Sequence, residues 1–292
     1  MTILQLTPGL RRLTAPNPSP MTLHGTNTFL IGETDIAVID PGPQSEPHLQ
    51  AILDAVGPGQ RITCILVTHS HLDHSPLARP LATATGAPVL AAGPSDWGRS
   101  PRMQALATEG LIGGGEGVDA AFNPDRLLAD GEIVEGDGWR IEAIHTPGHM
   151  ANHLAFAWNR AVFVGDLVMA WATSLISPPD GDLTAFRKSL RRLIARDDRI
   201  HYPAHGEAII DPSARCQQLL DHRDGREAQI LKALANGPAT PSALTRRIYT
   251  DVDPRLLPMA ERNVLAHLID LVERNLAEPV DTLSATGPFR AP

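Results

Sequence analysis

With 292 residues, the chain is long enough to bury one large core and to carry a small satellite domain. Its formal net charge of −8 argues against broad nonspecific nucleic-acid binding, while leaving room for a local basic groove. Only Cys64 and Cys216 are present, the first inside a buried-looking apolar run, which argues against a disulfide framework and fits a reducing cytoplasm. Met1 to Pro20 does not read as a signal peptide: Pro8 and Gly9 interrupt it, and Arg11-Arg12 follow the apolar residues instead of preceding them. No stretch approaches the roughly 18 apolar residues of a membrane span, so a cytoplasmic protein without membrane partners is expected.

Residues 22–70 read as strands and turns around a helix from Glu46 to Val56, with Leu49, Ile52, Leu53 and Val56 on its apolar face. Leu77 to Thr85 reads as a short helix with Pro76 at its first turn, and Pro80 predicts a kink or an early end. From Ser95 to Gly117 the chain turns irregular, ending in Gly113-Gly114-Gly115-Glu116-Gly117. A phosphate cradle is disfavoured there because no strand precedes and no Lys follows; the run predicts a mobile loop. Leu128 to His149 and His153 to Asp166 supply further strands, broken by turns at Gly136-Asp137-Gly138 and Asn159-Arg160. No solenoid-type repeat is visible. Asp182 caps a helix with Leu183, Phe186, Leu190, Leu193 and Ile194 on one face and Arg187, Lys188, Arg191, Arg192 and Arg196 on the other. The plain reading of that basic face is a solvated surface; the functional one is a guide for an anionic substrate.

After about Asp221 the character becomes helical. Glu227 to Ala235, Pro241 to Ile248 and Pro254 to Arg274 read as three helices, and the tail from Ala277 can form two short strands around Thr286-Gly287-Pro288. Three helices and a hairpin suggest a winged helix. Its third helix mixes Glu261, Asp270 and Glu273 with Arg262 and Arg274, so phosphate neutralisation would be weak and a structural or substrate-capping role is expected. His267 reads as a packed or surface histidine, not a ligand.

The chemistry is concentrated in Thr68-His69-Ser70-His71-Leu72-Asp73-His74, directly after the strand-like run Ile62 to Val67. A loop leaving a strand can aim several side chains inward, which one helix face or strand face cannot do at this spacing. Histidine and Asp at this density match the ligands of a borderline metal such as zinc. Three more candidates follow strand-like runs beside Gly or Pro: His149 in His145-Thr146-Pro147-Gly148-His149, Asp166 after Gly165, and His205 before Gly206.

This HxHxDH cluster, with its later His, Asp and His, resembles the metallo-β-lactamase-fold hydrolases from about Gly25 to Gly206. The resemblance implies an α+β fold, an αββα sandwich over residues 1–220 followed by a small winged-helix-like domain over 221–292. It implies that His69, His71 and His149 hold one metal, that Asp73, His74 and His205 hold a second, and that Asp166 bridges them. Gly25-Thr26-Asn27-Thr28, Asp40-Pro41-Gly42 and Gly165-Asp166 also look like family segments near the site. Ser75-Pro76, where many members have Gly, is a departure that touches no ligand. The cofactors implied are two Zn2+, with manganese or iron as alternatives; redox members of this fold place Glu where His71 stands and bind iron. A metal-bridging hydroxide would attack the substrate, with Asp73 orienting it as the catalytic carboxylate.

The Ala260–Leu268 passage resembles the winged-helix extension of the lactamase-like endoribonucleases, which favours a phosphodiester, single-stranded RNA. The alternative is a glyoxalase II-like thioesterase acting on a small-molecule ester or thioester, against which stand the scarcity of tyrosines (Tyr202 and Tyr249) and the lack of an evident glutathione clamp. A nucleic-acid-binding regulator with a vestigial metal site is the third reading, and the intact ligand set argues against it. A homodimer is one option for assembly.

Overall fold

A computed structural model of the chain describes residues 2–111 and 117–292, so Gly113, Gly114, Gly115 and Glu116 of the expected loop lie outside the described residues. Two sheets carry the N-terminal two-thirds. The first holds β1 (Leu4–Thr7), β2 (Leu10–Thr14), β3 (Asn27–Ile31), β4 (Asp35–Ile39), β5 (Arg61–Leu66), β6 (Val89–Ala91) and β7 (Arg126–Leu127) in sequential order. Its first four strands are antiparallel, and the pairings from β4 to β7 are parallel. The second holds β8 (Ile133–Gly136), β9 (Trp139–His145), β10 (Leu154–Trp158), β11 (Ala161–Gly165) and β12 (Ile200–Pro203), in the order β12-β11-β10-β9-β8.

Period-two alternation stacks these sheets into layers. Phe29, Ile31, Ile39, Leu66, Phe156 and Phe163 face the space between the sheets, where Phe29 and Phe163 stand 4.8 Å apart between ring centroids. The alternate residues Leu30, Val38 and Ile65 pack outward against α1 (Glu46–Asp54) and α2 (Ala78–Thr85). Ala155, Val162 and Val164 pack outward against α4 (Leu183–Ile194) and the start of α5 (Pro212–Leu234). Two central sheets with helices on both outer faces give the expected αββα sandwich.

Several local expectations change. Pro80 produces no break, because it is the third residue of α2, where its missing N–H would have no partner inside the helix. The irregular region contains α3 (Pro101–Thr108), capped by Ser100, whose hydroxyl accepts from Met103 N. Leu4–Thr7 and Leu10–Thr14 extend the first sheet at one edge. The helix expected from Glu227 is the last third of the 23-residue α5, so the expected boundary at 221 falls inside a continuous helix.

The C-terminal part adds α6 (Pro241–Ile248), a 3-10 turn at Pro254–Leu256, α7 (Leu257–Glu273) and the hairpin β13 (Glu278–Pro279) with β14 (Phe289–Arg290). This is the winged helix, but α7 has no open face along its middle: every residue from Val264 to Leu271 is buried. Val264, Leu265, Leu268 and Leu271 fill the winged-helix core, while Ala266 joins the cluster beneath α4.

Three of the five basic residues expected on the outer face, Arg187, Arg192 and Arg196, are engaged in ion pairs, while Lys188 and Arg191 are exposed. Arg187 is buried and pairs with Asp270 at 2.9 Å, Glu227 at 2.6 Å and Asp224 at 3.2 Å. Arg192 pairs with Asp130 at 2.8 Å, and Arg196 with Glu142 and Asp198. Arg187 thus ties the sandwich to the winged helix. Arg187→Ala is expected to lower stability by about 3 kcal/mol, the low end for breaking a buried pair, because Arg274 still faces Asp270 and Glu227. Urea unfolding checks this; a loss below about 0.5 kcal/mol, the size of an ordinary surface substitution, would show that the cluster holds nothing together.

Candidate metal centre

Three loops leave one edge of the second sheet and one leaves the first, and all four converge. His69, His71, Asp73 and His74 follow β5, His149 follows β9, Asp166 follows β11 directly, and His205 follows β12. Strands β9 and β11 are both antiparallel to β10, and β12 is parallel to β11, so their C-terminal ends share one edge. Two glycines make the close approach possible. Gly148 has φ +149, and a Cβ there would meet the Phe186 backbone at 2.4 Å. Gly165 has φ +49, and a Cβ there would sit 2.5 Å from His153 Nε2.

All seven predicted residues are buried and fall into two groups, within each of which the ligand atoms lie within 4.8 Å of one another. In the first, His71 Nδ1 is 3.0 Å from both His69 Nε2 and His149 Nε2. His69 Nδ1–H donates to Thr68 Oγ1 at 3.0 Å, and that hydroxyl donates to Asp40 Oδ2 at 2.7 Å. His149 Nδ1–H donates to Leu175 O at 2.7 Å. Both rings therefore turn a lone pair toward His71. In the second group, His205 Nε2 lies 3.1 Å from Asp73 Oδ2, and His74 Nε2 lies 3.3 Å from the same oxygen. His74 Nδ1 faces Asp40 Oδ2 at 3.0 Å, and His205 Nδ1–H donates to Gly25 O at 3.2 Å. Asp166 spans the groups: Oδ1 is 3.2 Å from His205 Nε2, and Oδ2 is 3.6 Å from His149 Nε2.

This donor set fits a pair of cations. Converging lone pairs cannot hydrogen-bond one another, and a positive ion among them resolves the conflict. His74 Nε2, His205 Nε2, Asp73 Oδ1 and Asp166 Oδ1 are buried without a hydrogen-bond partner among the described residues. Burial holds His69 well below the ordinary imidazole range and His71 at about 3, so both present lone pairs. Burial also opposes charge on His205, yet Asp166 and Asp73 raise it to about 10. Burial pushes the Asp73 and Asp166 carboxyls up, but His74 and His205 outweigh it and hold both below the usual range. The two acids draw positive charge into the pocket, whether as protons or as metal ions.

Residues 21–205 match the metallo-beta-lactamase superfamily, and residues 240–283 match the beta-lactamase associated winged helix domain. The chain belongs to the metallo-beta-lactamase superfamily. It is a hydrolase of that superfamily with a candidate His/Asp metal site. An atrochrysone carboxyl ACP thioesterase of Aspergillus fumigatus is 28% identical over 84% of this chain and 74% of its own length. A beta-lactamase-like protein 2 homolog of Drosophila melanogaster is 28% identical over 92% of this chain and 89% of its own. Among solved structures, a metallo-beta-lactamase family protein of Thermus thermophilus superposes with a TM-score of 0.79, covering 99% of this chain and 100% of that one at 24% identity.

Some participants carry no mark in the sequence. His153 lies beneath the site, stacked on His69 at 5.1 Å between centroids and hydrogen-bonded with Thr146 Oγ1 at 2.9 Å. Leu175 contributes only a carbonyl, which no side-chain pattern betrays. Asp40, in a segment expected near the site, accepts from Thr68 N, Thr68 Oγ1 and His74 Nδ1, and so orients residues of both groups. His145, next to His149 in the motif, instead bonds Ala151 O at 3.0 Å and takes no part. Asp40→Ala is expected to weaken metal retention about 10–100-fold, the usual cost of losing an outer-shell partner. Competition with a chelator measures this, and unchanged retention would remove Asp40 from the support of the site.

Proposed function

We propose that the protein hydrolyses an acyl thioester or a related small-molecule ester at a dinuclear zinc centre. His69, His71 and His149 would hold one ion, Asp73, His74 and His205 the other, with Asp166 shared. An all-imidazole first group with a shared carboxylate suits zinc's preference for nitrogen and oxygen ligands. When bound, such ions polarise a substrate carbonyl and lower the pKa of a water close to neutrality. Asp73 Oδ2 is engaged by Thr26 Oγ1, His74 and His205, whereas Oδ1 has no partner among the described residues. We assign Oδ1 as the acceptor that orients the attacking water and holds its proton.

The observation that carries the substrate class is the apolar character of the site's shoulders. Leu72, between His71 and Asp73 in sequence, is 46% exposed, and its amide donates to Gly117 O at 3.0 Å. Trp171 is 41% exposed and lies over Gly206, beside His205. Two exposed apolar side chains flanking a polar centre suit an acyl chain better than a polyanion. The thioesterase among the relatives is consistent with this. The phosphodiester reading rests on the winged helix, but α7 has no free face along Val264–Leu271, and two of α4's four cations, Arg187 and Arg192, are held in internal ion pairs.

Zinc-loaded protein assayed side by side on an acyl thioester and on single-stranded RNA is expected to cleave the thioester, with two zinc equivalents per chain. His69→Ala and Asp166→Asn are each expected to reduce turnover about 10²-fold or more, since each disturbs the placement of the reacting water. RNA cleavage with an inert thioester would reverse the assignment of substrate; one zinc or none would end the dinuclear reading.

A further inference from the structure

Arg223 is fully buried, and no carboxylate lies within ion-pair distance of it among the described residues. A charge so placed is costly, and an apolar side chain of similar volume would ordinarily serve a core as well. Its hydrogen bonds show what it does instead. Nη2 donates to Ser174 O, Nη1 donates to Asn263 Oδ1 at 2.9 Å, and the guanidinium stacks over Phe186 at 5.3 Å. The same Asn263 Oδ1 accepts from Ile176 N at 3.1 Å. Arg223 from α5 and Asn263 from α7 therefore grip the backbone on either side of Leu175. Leu175 O is the acceptor for His149 Nδ1–H at 2.7 Å.

We propose that Asn263 and Arg223 are positioning residues for His149, so that the C-terminal helices complete the outer support of the first metal group. The chain of contacts runs Arg223–Asn263 to the Ser174–Ile176 backbone, to Leu175 O, to His149 Nδ1, leaving Nε2 aimed at His71. The loop is pinned at a third point, where Ser174 Oγ donates to Leu167 O at 2.8 Å, one residue beyond Asp166. Removing the grip frees Leu175 O to move and lets the imidazole rotate or change tautomer. This rests on reading His149 as a ligand.

The test uses the full chain with Asn263→Leu, which removes the acceptor at similar volume, and Asn263→Asp, which keeps it. Arg223→Met is the companion, since replacing a buried ion with an apolar group is often neutral for folding. Retention of zinc and the visible spectrum of the cobalt-substituted protein report on the metal; protection of the His149 Nδ1 proton from exchange, by NMR on metal-free protein, reports on the ring alone. Expected are about 10–100-fold weaker retention of one of two equivalents, an altered cobalt spectrum and faster Nδ1 exchange in Asn263→Leu and Arg223→Met, with Asn263→Asp close to the unsubstituted protein. Unchanged retention, spectrum and exchange in folded Asn263→Leu or Arg223→Met would overturn the proposal, as would Asn263→Asp failing alongside Asn263→Leu. If the unsubstituted protein retains no metal, the dinuclear reading fails, while the proton-exchange arm still decides whether Asn263 and Arg223 position His149.

Discussion

Asp73 and Asp166 place two carboxylates in a pocket nearly closed to water, and the rest of the site answers their demand for positive charge. Ionised acids at that depth are expensive unless something cationic sits between them. His74 and His205 face both acids, and their basicity rises despite burial, whereas burial keeps His69 and His71 neutral. One pocket thus contains a group of lone pairs and a group dominated by charge, with Asp166 touching each. That asymmetry arises from placement alone, since all the histidines have the same side chain.

Holding such a group together requires backbone geometry that few residues allow. The strands end within a few residues of the candidate ligands, so sheet register fixes where each loop begins. Gly148 then lets the His149 loop lie on the backbone of α4, and Gly165 lets β11 pass over His153. Asn27 works at the opposite wall: its amide donates to Pro203 O and Gly206 O, bracketing His205. The aliphatic layers on either side of the two sheets supply the rigidity that these loops lack.

What the sequence made legible follows from how local each signal is. The cluster from His69 to His74 was readable because its residues are neighbours in the chain. His149, Asp166 and His205 were readable because each follows a strand-like run and stands near Gly or Pro. Asp182 as a cap and the alternation in β10 and β11 are equally local. Asn263, Arg223 and Leu175 were not readable, because their role lies in contacts between segments 26 to 87 residues apart. The pairing of Arg187, Arg192 and Arg196 was hidden for the same reason: their spacing marks a helix face, but their acidic partners lie on α5, α7, β9 and the loops at Asp130 and Asp198. Pro80 was misjudged by position, since a proline within the first turn sacrifices no helical hydrogen bond.

The interface behind the site shows why the winged helix reads as a brace. A nucleic-acid-reading third helix needs one face free to enter a groove, and the buried run from Val264 to Leu271 lies instead between its own domain and the sandwich. Arg187 and Arg274 balance Asp270 and Glu227 there, while Arg223 brings a further charge with no acid partner among the described residues. His267 is buried among them with neither ring nitrogen hydrogen-bonded among the described residues. Burial, then Arg223 and Arg187, hold it well below the ordinary imidazole range, so it adds no further cation. An interface selected for adhesion alone would have no need of a buried charge at Arg223, where an apolar residue is often neutral or stabilising. Their hydrogen bonds converge on the Ser174–Ile176 backbone, and that convergence links the attachment of the C-terminal domain to the orientation of His149.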